Sequence, residues 1–173
     1  MRSLAFPALA LSALAYLTPH APAAPLDDPT IVAIFDAANT FDVETGQLAL
    51  QRSHTKAVRE LAQQFIHDHQ AVRQQGRDLA KQLAVTPTPP KDFALARQHA
   101  EAMKELRSKS GAEFDRAYVA HEITYHQAVL DAVTGTLLPA IKNPELKAFV
   151  EKVGPAFQGH LEAAKQLQKR LTA

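Results

Sequence analysis

The chain has no cysteine. That absence excludes disulfides, thiolate metal sites, c-type haem attachment and thiol redox chemistry, and it removes the cysteine that a lipid-anchored exported protein needs. The fold must therefore hold by its core alone. A chain of about 150 residues can do this, since it buries roughly 68 to 70% of its unfolded surface, and it is the size of one domain. No apolar run reaches the roughly 20 residues of a membrane-spanning helix, so no integral membrane segment is expected in the mature form. Charge of one sign is not in excess either, with 19 Lys and Arg against 18 Asp and Glu. Interspersed, balanced charge gives neither a nucleic-acid footprint nor a polybasic membrane patch. No Ser/His/Asp arrangement or nucleophile elbow is visible, which leaves enzymatic hydrolysis with little support.

The first residues, MRSLAFPALALSALAYLTPHAPAA, carry one early positive charge at Arg2, an apolar run from Leu4 to Leu17 and a Pro/Ala-rich tail. This is the layout of a secretory signal peptide. Ala21-Pro22-Ala23 has the small-x-small form of a cleavage site, so residues 1–23 are expected to be removed and 24–173 to form the mature domain, in the periplasm or secreted. A twin-arginine pair is absent, which favours the general secretory route. Loss of Arg2 leaves basic and acidic residues equal in number.

Glycine is scarce, at 6 residues, and no segment alternates with period two between hairpin turns, so the chain reads as all-α. Four long helices are predicted. The first opens at Asp28-Pro29, a cap with proline at the first helical position, and runs to about Arg52 with a stripe of Ile31, Ile34, Phe35, Ala38, Phe41 and Leu48. The second carries Val58, Leu61, Ala62, Phe65, Val72, Leu79 and Leu83, and ends before Thr86-Pro87-Thr88-Pro89-Pro90. A shorter polar helix over 92–109 belongs to the connection that follows. The third long helix starts at Ser110-Gly-Ala-Glu113, which has capping-box spacing, and runs to about Thr136. The fourth starts at Asn143-Pro144, and Gly154-Pro155 is expected to kink it. A short first turn and a long second connection point to an antiparallel four-helix bundle with a short extra helix in that connection. Each helix alone would be marginal, so burial of the stripes must supply most of the stability.

In such a bundle the informative residues are polar ones on inward stripes. His69 follows Phe65 by four and precedes Val72 by three. His126 lies between Ile123 and Val129, and His160 between Phe157 and Ala164. Two of the three sit in a near-repeat, IHDHQAV and ITYHQAV. Glu44 is the comparable residue of the first helix, and Glu122 shares the face of His126 at a spacing of four. Every long helix thus offers a candidate ligand. Neutral imidazole and carboxylate are ordinary ligands of zinc, copper and iron, and bundles build metal sites from facing helices in this way. Asp68, beside His69, is placed to orient a ligating imidazole.

Depth distinguishes the candidates. At about 1.5 Å per residue, Glu44 and His69 differ by roughly 10 Å in height when counted from the first turn, whereas His126 and His160 differ by roughly 6 Å counted from the last. Asp36 and Asn39 match the histidine layer better than Glu44 does.

Phe41-Asp-Val-Glu44-Thr-Gly-Gln-Leu48-Ala, Val58-Arg-Glu-Leu-Ala with Asp68-His69, Ser110-Gly-Ala-Glu-Phe-Asp-Arg-Ala-Tyr118 with His126, and Asn143-Pro144-Glu-Leu-Lys-Ala-Phe149 with His160-Leu161 together resemble the bacterial exported family called domain of unknown function 4142. The resemblance covers essentially the whole mature chain. It implies a ferritin-like four-helix bundle of no established role, and it marks Glu44, Asp68, His69, His126 and His160. One departure is Tyr125, where relatives often carry Asp. A di-iron centre is not expected, because it needs about four inward carboxylates and a Glu-x-x-His on each of two helices. Here Ile66, Ile123 and Phe157 stand three before the histidines. The sequence therefore favours a His-rich site for one transition-metal ion, His69, His126 and His160 with Glu44 or Glu122. Magnesium and calcium prefer oxygen ligands. The competing reading is a non-catalytic envelope interaction or stress-related protein whose histidines form a hydrogen-bonded core. Haem held between two histidines is disfavoured by the low aromatic content, 6%, and by the lack of a spare Met ligand beyond Met103.

Overall fold

The computed structural model describes residues 26–172. The expected signal segment, 1–23, lies outside the described residues, and among the described residues no helix is long and apolar enough to cross a membrane. The elements in chain order are α1 (Asp28–Arg52), α2 (Lys56–Gln82), α3 (Ala94–Arg107), α4 (Gly111–Ala132), a π-helical turn (Val133–Leu137), α5 (Leu138–Ala140) and α6 (Pro144–Thr172). The all-helical reading holds, with four long helices and the short α3 in the connection between the second and third of them.

The helix ends explain the topology. Asp27, one residue before the expected cap, accepts from the Thr30 amide at 2.9 Å. Asp28 is thereby free to reach across the fold, where its carboxylate accepts from the amides of Lys142 and Asn143, each at 2.9 Å, just before α6. Asn143 caps α6 as its sequence predicts, accepting from Glu145 and Leu146 amides at 2.9 and 3.1 Å. At the other end of the molecule Thr55, between α1 and α2, donates to Asp115 in the first turn of α4. Thus α4 starts where α1 ends, and α6 starts where α1 starts. Helices α2 and α4 run the same way, α1 and α6 the other way. Packing of α1 on α2, α2 on α6, α6 on α4 and α4 on α1 then makes each neighbouring pair antiparallel. The link through α3 carries the chain back along the bundle, which is why it is long.

Two expectations at helix ends need correction. Ser110 has the extended backbone of a cap, but its hydroxyl makes no capping bond, and Glu113 pairs instead with Lys109 Nζ at 3.0 Å. The third long helix leaves α geometry after Ala132, earlier than about Thr136, and passes through the π-helical turn. Pro155 lies inside a continuous α6. It is exposed, so the Glu151 carbonyl that loses its donor there can turn to water.

The core has two apolar halves. One, near the α1–α2 turn, contains Phe65, Phe114, Tyr118 and Leu167. The other, toward the start of α6, contains Ile31, Phe35, Val150 and Phe157. Between them lies a buried polar layer of Asn39, Asp42, Thr45, His69, Glu122, His126 and His160. Helix α1 passes close to α2 at Gly46. A Cβ there would stand 2.8 Å from Ile66 Cγ1 and 3.4 Å from the Ala62 carbonyl oxygen.

Candidate metal centre

Each long helix delivers to the polar layer by its own periodicity. Helix α2 buries Phe65, His69 and Val72 on one face, α4 buries Glu122 and His126 one turn apart, and α6 buries Phe157, His160 and Ala164. Helix α1 contributes Asn39 and Asp42. In the near-repeat, Gln70, Ala71, Gln127 and Ala128 are exposed. The histidine is the residue in each copy that reaches the layer.

The three imidazoles point one nitrogen each at a common centre. His69 Nε2 is 3.3 Å from His126 Nε2 and 3.2 Å from His160 Nδ1. Asp42 Oδ2 completes the set, 3.5 Å from His69 Nε2 and 3.6 Å from His126 Nε2. For a tetrahedral ion with ligand bonds of about 2.0 to 2.2 Å, the ligand-to-ligand edges are about 3.3 to 3.6 Å. These four of the six edges match that length to within 0.1 Å, whereas Asp42 stands more than 4.0 Å from His160, so the carboxylate lies beside the His69 and His126 edge of the set.

The outward nitrogens fix the protonation pattern. His69 Nδ1 faces Asn39 Oδ1 at 2.9 Å, and Asn39 Nδ2 donates to the Phe35 carbonyl at 2.8 Å. The amide oxygen is thereby held toward the ring and can only accept. His126 Nδ1 donates to the Glu122 carbonyl at 2.9 Å, and His160 Nε2 to Asp68 Oδ2 at 3.0 Å. A neutral imidazole carries one N–H. All three are therefore directed outward, and three lone pairs face one another with the Asp42 carboxylate beside them. No hydrogen-bond donor reaches either oxygen of Asp42. Apart from a carboxyl proton held by Asp42 itself, no donor faces these buried nitrogens, and a cation among them would satisfy acceptors that are otherwise costly to bury. Outer partners that lock ring orientation are also the usual surroundings of a metal-ligating histidine.

Burial favours the neutral forms. It holds His69 well below the ordinary histidine range, with His126 and His160 adding to the effect, and it pulls His126 down to about 3. Burial also lowers His160, against the opposing pull of Asp68. Asp42 is pushed up to about 8 by burial, and Glu122 well above the carboxylate range by burial and then by the charge of Asp42. Glu122 Oε1 accepts from Thr45 Oγ1 at 3.0 Å, while its Oε2 has no donor. Phe65 stacks on His160 with centroids 4.4 Å apart, and Phe157 on His69 at 5.1 Å. These rings seal the layer from the apolar halves above and below it.

The sequence of residues 15–167 matches the model of the family described as Domain of unknown function (DUF4142). The chain belongs to this family. No curated protein matches it. Two solved structures share the fold: the crystal structure of a DUF305 fragment from Deinococcus radiodurans, at 16% identity and a TM-score of 0.72 over 82% of this chain and 95% of that one, and CopM in the Cu(II)-bound form, at 16% identity and a TM-score of 0.64 over 84% and 98%.

Among the sequence-predicted residues, the family member brings His69, His126 and His160 together, with Asp68 behind His160 and Glu122 within 4.8 Å of Asp42 and His126. Glu44 is not brought there. It is exposed on the opposite side of α1 and pairs with His99 Nε2 of α3 at 2.7 Å. The reason is the register of α1. Its deepest face runs through Ile31, Phe35, Asn39, Asp42, Gly46 and Ala49, whereas Phe41 is half-buried and stacks on His99 at 4.3 Å. Asp42 is the residue of the polar layer that the apolar stripe missed. Asn39 sits at the layer as its height predicts, and Asp36 instead pairs with Arg77. Tyr125 donates to the Ala38 carbonyl at 2.9 Å and lines the small space beside His69 and His126.

Proposed function

We propose that this chain is an exported protein that binds one divalent transition-metal ion between His69 Nε2, His126 Nε2, His160 Nδ1 and an Asp42 oxygen. The observation that carries this reading is the convergence of three inward imidazole nitrogens, two of them beside the Asp42 carboxyl, which accepts no hydrogen bond. In a purely hydrogen-bonded core the inward donor would be the protonated carboxyl of Asp42, but at 3.5 and 3.6 Å from His69 and His126 Nε2 it stands beyond ordinary hydrogen-bond distance of either ring. Three neutral imidazoles and a carboxylate suit zinc in the tetrahedral arrangement, and copper(II) by the general order of affinities. Likeness of fold to a protein solved in a Cu(II)-bound form adds support for copper. Asp68, Asn39 and the Glu122 carbonyl orient the rings, and Glu122 backs Asp42. No catalytic role is proposed.

The test is equilibrium dialysis of the purified mature chain against zinc, copper and iron, followed by elemental analysis and native mass spectrometry. One ion per chain is expected, lost in His69→Ala/His160→Ala. Metal content far below one per chain for all three ions, or unchanged in the double variant, rejects the reading and leaves the hydrogen-bonded core, for which those substitutions would lower stability without any metal effect.

A further inference from the structure

Helix α2 carries a glycine, Gly76, in its interior and on its buried face. Glycine is unfavourable in the middle of a helix, so its place there calls for a packing reason. Close approach does not supply one. A Cβ on Gly76 would meet the rings of Phe35 and Phe149 at 3.5 Å, an ordinary contact distance. What the glycine leaves is space: it lines a cavity of about 230 Å³ bounded by α1, α2, α6 and the loop that follows α2. Buried Ile31, Leu146 and Val150 form the apolar lining with Phe35 and Phe149, whose rings meet edge to face with centroids 5.5 Å apart. Pro87 closes the loop side, and the next residue ties that loop down, the Thr88 amide donating to the Pro29 carbonyl at 3.1 Å.

The charged residues that line this cavity are Asp36, Arg73 and Arg77, and they are not equivalent. Arg77 donates through Nε and Nη2 to the two oxygens of Asp36, the second bond at 2.9 Å, so this pair cancels. Arg73 is half-buried and donates through Nη1 to the Thr40 hydroxyl at 3.1 Å, a neutral acceptor. Among the described residues no carboxylate pairs with it. A guanidinium keeps its charge and offers five N–H donors. The cavity therefore joins an apolar interior to one positive charge that has no anionic partner.

We propose that this cavity binds a small monocarboxylate with an aromatic or short alkyl body, its carboxylate on the Arg73 guanidinium and its body against Gly76, Phe35 and Phe149. Size sets the upper bound on the body. An apolar cavity of about 150 Å³ suffices for benzene, so the space here takes one ring or a short chain with a polar end. Water would find few partners along the apolar lining. Charge sets the polar end, because two arginines against one aspartate leave one positive charge to be matched, and the planar fork of arginine fits a carboxylate. The site lies in the apolar half of the core toward the start of α6 and stands apart from the metal reading.

The test titrates phenylacetate into the purified mature chain, with a chelator present so that no metal ion offers a second place for a carboxylate. Calorimetry and backbone-amide NMR read the binding. One site is expected, with shifts centred on Arg73, Gly76 and Phe149. Phenylacetamide has the body without the charge, and acetate the charge without the body. Each of these, on the wild-type chain, and phenylacetate on Arg73→Gln, should bind about tenfold or more weakly, the weight of a hydrogen bond to a charged group. Gly76→Ala should keep or raise Tm, since alanine favours the helix and its Cβ finds ordinary contact distances. By taking up room it should still weaken phenylacetate about threefold or more. No saturable binding of phenylacetate, equal binding of phenylacetamide or of acetate, or shifts centred elsewhere in the bundle overturns the proposal. So does an unchanged affinity in either variant. The ligand series is read on the wild-type chain, so a variant that folds poorly does not remove the test.

Discussion

Asn39 Oδ1 lies 2.9 Å from His69 Nδ1, and the same amide donates through Nδ2 to the Phe35 carbonyl one turn back. A residue on α1 thereby decides which nitrogen of an α2 histidine faces the centre. Replacing Asn39 by leucine removes the acceptor and leaves Nδ1–H buried without a partner. The expected result is a 10- to 100-fold loss of zinc or copper affinity, in the range typical of outer partners of metal-bound histidine. A metal-free destabilisation of about 1 to 3 kcal/mol should accompany it. Calorimetric titration and urea denaturation measure the two effects, and an unchanged affinity would show that the tautomer is fixed by something other than Asn39.

The helices and the three histidines were readable because apolar neighbours at spacings of three and four framed each histidine: Phe65 and Val72, Ile123 and Val129, Phe157 and Ala164. The deepest face of α1 was not readable in the same way. It combines Asn39, Asp42 and Thr45 with small Gly46 and Ala49, so its apolar signal is weak, while Phe41 on the flank draws the stripe toward α3. Helix α1 is covered on that flank by α3, and a helix contacted on more than one side has no single apolar face. Depth counting still found Asn39, because rise per residue is independent of which face is buried. The direction of α4 could not be read from periodicity. It depends on contacts across the fold, Thr55 with Asp115 and Asp28 with the start of α6.

Asp68 supplies a different test from Asn39, because its side chain is 37% exposed and its partner, His160, reaches it from the edge of the layer. Asp68→Asn keeps an acceptor and removes the charge. Metal affinity is expected to fall about tenfold, with a change in metal-free stability below about 1 kcal/mol, because the asparagine oxygen still accepts from the neutral His160 ring. A large loss of stability without loss of affinity would mean that Asp68 holds α2 to α6 rather than orienting His160.

Gly46 tests the packing that keeps α1 at its distance from α2. Its missing Cβ leaves room for Ile66, which a substitution would meet at 2.8 Å. Gly46→Val should destabilise the fold by about 1 to 3 kcal/mol through overpacking. It should also weaken metal binding, since Asp42 is one helical turn away. The paired substitution Gly46→Ala/Ile66→Ala removes the Cγ1 and Cδ1 that the new Cβ would meet and should recover part of both effects in thermal melts and titrations. Failure of the pair to recover stability would place the strain elsewhere.

The pH dependence should betray a carboxyl group rather than an imidazole. In the metal-free chain Asp42 sits at about 8, above its ordinary 3.8. Its contribution to stability is therefore full below about 3.8 and is lost as pH rises through 8, because the folded state binds the proton more tightly than the unfolded state. His126 works in the opposite sense. Held at about 3 against an ordinary 6.5, it favours the folded state fully above 6.5, and that contribution is lost as pH falls toward 3. The metal-free chain should accordingly be most stable between these limits and weaken toward both. A bound divalent ion needs Asp42 deprotonated but finds the imidazoles already neutral, so binding should release protons from carboxyl groups across the range from about 6 to 8. The rise in Tm produced by saturating zinc should grow from about pH 6 to about pH 8.5. A thermal shift that is already at its full size by pH 7, following an ordinary imidazole titration, would show that Asp42 is not the group the ion deprotonates.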